Sequence, residues 1–134
     1  MSSIETIYEN IKRIQVSSQQ MHDYINGLSE SDYALLASAF ILGRSGWERS
    51  YEDSNDFHRF IEEKASEGIN VDQKMLDDKF LSMADKNKQF SITHEYEKSD
   101  ISKANGIYRH NWLSSKTNLI TEVEKGIKML REIQ

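Results

Sequence analysis

YALLASAFIL, residues 33–42, holds no charged side chain and a single serine, Ser38. A helix that is apolar nearly all round has no face to give to water, so it belongs in the middle of a domain with other elements laid around it. Just before it, in LSESD (28–32), Ser29 stands three residues ahead of Asp32. That spacing resembles a capping box with aspartate in the glutamate position, so the helix is expected to begin there and to stop at Gly43.

The elements that surround this helix are written at both ends of the chain. Ile4, Ile7, Ile11, Ile14, Met21, Ile25 and Leu28 alternate between three- and four-residue spacings, interrupted only at Ser18, and Leu113, Ile120, Val123, Ile127 and Leu130 repeat the pattern. Each set forms a stripe along a helix that something has to cover. The first helix is expected to run from Ile4 to Ile25 and to close at Asn26-Gly27. If the stripe is not covered within the chain, Ile4, Ile7, Ile11 and Ile14 are the seam of a homodimer.

Between the ends, Asp53 or Ser54 caps a helix that turns Phe57, Phe60 and Ile61 inward and stops at Gly68. Asn70, with Gln73 three residues on, caps a second that carries Val71, Met75, Leu76, Phe80, Leu81 and Met83. FSITHEY (90–96), bounded by Phe90 and Tyr96, alternates apolar and polar residues with a period of two and reads as an extended segment or one arm of a hairpin. Ser114 or Ser115 caps the final helix. The expected fold is all-α, a compact bundle of about five helices in one domain, 1–134, with one short extended or hairpin segment at 90–96.

The bulk numbers agree with a small folded domain. The chain has 134 residues, 37% of them hydrophobic and none proline, so the commonest helix breaker is missing. With no cysteine there is no disulfide, thiolate nucleophile or cysteine-ligated metal site. A net charge of −5 argues against a general nucleic-acid binder, which needs a basic surface. The N-terminus lacks the pattern of an export signal and no apolar run is long enough to span a bilayer, so a cytoplasmic location is expected.

The search for chemistry returns little. His22, His58, His94 and His110 lie far apart, and HEYEK fails the zinc-protease pattern because Lys98 takes the place of the second histidine. An acidic run starting at Asp53 fails as a calcium loop, with His58 at the turn glycine and Lys64 at the bidentate glutamate. GRSG lacks the lysine of a phosphate loop, and no G-x-S-x-G elbow occurs. No catalytic residue, metal site or cofactor is expected. The candidates for a partner-binding surface are Arg44, Trp47, Arg49 and Tyr51 in the glycine-containing stretch, and Tyr108, Arg109, His110 and Trp112 in the stretch from Lys98 to Lys116, where aromatics alternate with cations.

The stretches INGLSESDYALLASAFILGRSGW (25–47) and NWLSSKTNLITEVEKGIKML (111–130) resemble a bacterial family of small helical proteins classed as a domain of unknown function. There an acidic cap precedes an apolar helix that ends in leucine or isoleucine, glycine and arginine, matched here by Leu42-Gly43-Arg44, and a leucine-bearing helix closes the chain. The sequence departs from that pattern in the long piece between the two stretches, and at Ser115 or Lys116, where the family tends to have proline. The resemblance implies a fold and no activity. The expected function is therefore contact: a small cytoplasmic regulator or inhibitor, of the immunity or phage anti-defence type, with a protein partner. The alternative is a ligand- or nucleotide-binding domain or enzyme built on Arg44, Arg49, His94, Arg109 and His110.

Overall fold

A computed structural model of the chain describes residues 2–103 and 111–133. Among them run eight α-helices: α1 (Ser2–Ile11), α2 (Gln19–Asn26), α3 (Glu30–Ser45), α4 (Asn55–Ser66), α5 (Gln73–Phe80), α6 (Met83–Lys103), α7 (Asn111–Ser114) and α8 (Leu119–Arg131). A 3-10 turn, Ser50–Asp53, precedes α4, and no strand occurs among the described residues. The fold is all-α, with eight helices in place of about five. None of the described helices is long and apolar enough to cross a membrane. The residues gather into two compact units, Met1–Gly46 with Phe90–Gln134, and Trp47–Gln89.

In the first unit α3 is the centre, burying Tyr33, Leu36 and Phe40 completely. Its most extensive contact is with α8. A Cβ on Gly43 would sit 1.8 Å from the backbone oxygen of Glu122, and one on Gly126 would sit 1.9 Å from that of Ala39, so the two helices cross backbone against backbone. Gly43 therefore does not end α3. The helix runs through it to Ser45 and ends at Gly46, whose φ of 74° is open to glycine and whose N–H donates to the Leu42 carbonyl at 2.7 Å.

α1 packs on α3 and α8 of the same chain, with Ile4, Ile7 and Ile11 buried and Ile14 half-buried. Within the chain, Ile4, Ile7 and Ile11 are therefore covered by the first unit itself. The single helix expected from Ile4 to Ile25 is two. Ser17 takes a φ of 63°, and the Ser18 hydroxyl donates to the Gln15 carbonyl at 2.6 Å while accepting from the Met21 N–H at 3.1 Å. Serine side chains compete with the helix for backbone partners, and here Ser18 caps α2, seven residues after α1 has ended at Ile11.

The stretch 90–96 is helical, inside α6, and corrects the extended reading of Phe90 to Tyr96. Ser82 and Asp85 form a reciprocal capping box at its start: the Ser82 N–H donates to Asp85 Oδ2 and the Asp85 N–H to Ser82 Oγ, both at 3.0 Å. A lone strand would have left its backbone groups unpaired, whereas the helix satisfies them internally. That same box separates α5 from α6, so the stripe from Val71 to Met83 is divided, and Asp72, not Asn70, caps α5 by accepting from the Met75 N–H at 2.8 Å. The final helix begins at Leu119, later than either Ser114 or Ser115. Ser114 is buried and engaged by His22 Nδ1, so its hydroxyl is not at a helix start.

The second unit is built on aromatic rings. Tyr51 stacks on Phe80 at 5.2 Å, Phe57 lies 6.0 Å and Phe60 5.7 Å from Phe80, and Leu76, one turn before Phe80 on α5, is buried. Ser54 caps α4 by accepting from the Phe57 N–H at 3.2 Å, as expected. Gly68, with φ 73°, ends it, as expected, and lets the Ile69 N–H reach the Lys64 carbonyl at 2.9 Å.

Candidate functional site

The partner-facing candidates are mostly engaged within the chain. Trp47 is only 3% exposed. The Trp112 indole N–H donates to the Tyr33 hydroxyl at 2.6 Å and its ring meets Phe40 edge-on at 6.0 Å. Arg44 is exposed, with its guanidinium 5.1 Å above the Phe40 ring, so Phe40 gathers Trp112 and Arg44 around it. Tyr108, Arg109 and His110 lie outside the described residues.

Arg49 and Tyr51 meet on a residue that the sequence did not single out. The buried Tyr51 hydroxyl donates to Asp77 Oδ1 at 2.6 Å, Gln73 Nε2 donates to the same oxygen at 3.1 Å and to the Tyr51 hydroxyl at 2.9 Å, and Arg49 Nε lies 3.4 Å from Asp77 Oδ1. Gln73 and Asp77 are one turn apart on α5, a spacing that puts both on one face and was the available signal. Burial, followed by the hydrogen bond to Asp77, pushes the Tyr51 phenol up to about 12. A phenol held protonated and already donating is neither base nor nucleophile near neutral pH, and it shares the Asp77 oxygen it binds with Gln73 and Arg49. The cluster ties the turn at Ser50–Asp53 to α5.

Two open clefts accompany these elements. One, of about 280 Å3 in the second unit, is bordered by Tyr51, Phe80, Asp85, Lys88 and Gln89. Gln89 there accepts from the Glu48 N–H at 2.7 Å, and the Ser82 N–H holds the Asp85 carboxyl below the usual range. The other, of about 310 Å3 between α1 and α8, has Tyr8 and Ile127 among carboxylates that are matched by cations: Glu5 with Arg131 at 2.9 Å, Glu9 with Lys12 at 2.9 Å and Glu124 with Lys128 at 3.5 Å. Among the described residues no three histidine or carboxylate side chains come close enough to share a metal ion.

The least expected feature is on α6. Ile92 and Tyr96, one turn apart, are 60% and 67% exposed, while Glu97 of the same helix is buried. Compared with protein-family models, curated proteins and solved structures, the chain matches none.

Proposed function

We propose that this protein acts through contact and not catalysis, as a small regulator or inhibitor that covers a surface of a protein partner, in the manner of immunity or anti-defence proteins. The observation that carries this reading is the pair Ile92 and Tyr96, turned to solvent from a helix that buries a glutamate. Scattered exposed apolar residues are ordinary, but a tyrosine and an isoleucine adjacent on one helical face make a site for an apolar neighbour, and tyrosine is enriched among the residues that dominate protein interfaces. The reading gains from the state of the polar groups. Arg49 is held by Asp77 and the carboxylates of the α1–α8 cleft are matched by cations, so these groups are already engaged within the chain.

The test is retention of a partner by the immobilised full chain at micromolar concentration, run beside Ile92→Asp and Tyr96→Ala. Both positions are exposed, so each variant should keep the helical circular-dichroism spectrum and change stability by no more than about 0.5 kcal/mol. The expected result is a protein retained by the unmodified chain and lost by both variants. No retained protein, or equal retention by all three, overturns the proposal.

A further inference from the structure

We draw no further inference here: the strongest candidate beyond the Ile92–Tyr96 face, the open cleft of the second unit between Tyr51, Phe80, Asp85, Lys88 and Gln89, carries nothing because Asp85 and Gln89 are already bound within the chain and Lys88 alone does not define a ligand.

Discussion

Gly126 lies inside α8, where alanine in place of glycine ordinarily stabilises a helix by about 0.5–1 kcal/mol. Here the sign reverses, because the added methyl group would fall on the Ala39 carbonyl. Gly126→Ala should lose about 1–3 kcal/mol, read as a lower urea midpoint; a higher midpoint would mean that the helices do not touch there. Tyr51→Phe removes the donor to Asp77 and should cost about 1–3 kcal/mol by chemical denaturation. Its pH dependence is equally specific. The folded phenol, at about 12, is raised above the unfolded value near 10, so its contribution is full below about pH 10 and fades as pH climbs toward 12. The stability gap between the two proteins should narrow across that interval, and a constant gap would mean that the hydroxyl is not held as described. Tyr51 also marks the limit of local reading. In sequence it stands among polar residues and looks outward-facing, whereas its partner is 26 positions away and only folding brings the two together.

Five of the described helices start on a short polar side chain that caps them, Asp72 and four serines: Ser18, Ser29, Ser54 and Ser82. The box at Ser82 has the largest consequence, since it ends one apolar stripe and begins the longest helix. Ser82→Ala should cost about 0.5–2 kcal/mol and reduce helical ellipticity; an unchanged protein would show that α6 starts without it. Two of these starts, Ser29 and Ser54, are legible from the sequence because a polar loop precedes an apolar run. Ser82 is harder to see, lying inside what looks like one continuous stripe. The stretch 90–96 was misleading for a related reason: Phe90, Thr93 and Glu97 recur at helical spacing toward the interior, while the alternation of apolar and polar residues spans only seven positions. Gly43 reads as a stop because a chain-local rule cannot see that α8 needs the space.

Across the whole molecule the apolar residues are divided unevenly. α3 buries nine residues, whereas α4 buries none and rests on half-buried rings. Local opening follows buried apolar contact, so amides in α4 should exchange with deuterium well before those of α3 and α8, and equal protection would contradict this ranking. The helical class and the central place of residues 33–42 were legible because burial on every side leaves a plain compositional mark. The crossing of α3 and α8 has a consequence for descent. Any related chain that keeps this approach is obliged to carry the smallest amino acid at both points where the main chains touch, however far the rest of it drifts. Gly43 and Gly126, with Ala39 one turn before the first, thus form a fingerprint by which distant kin can be recognised.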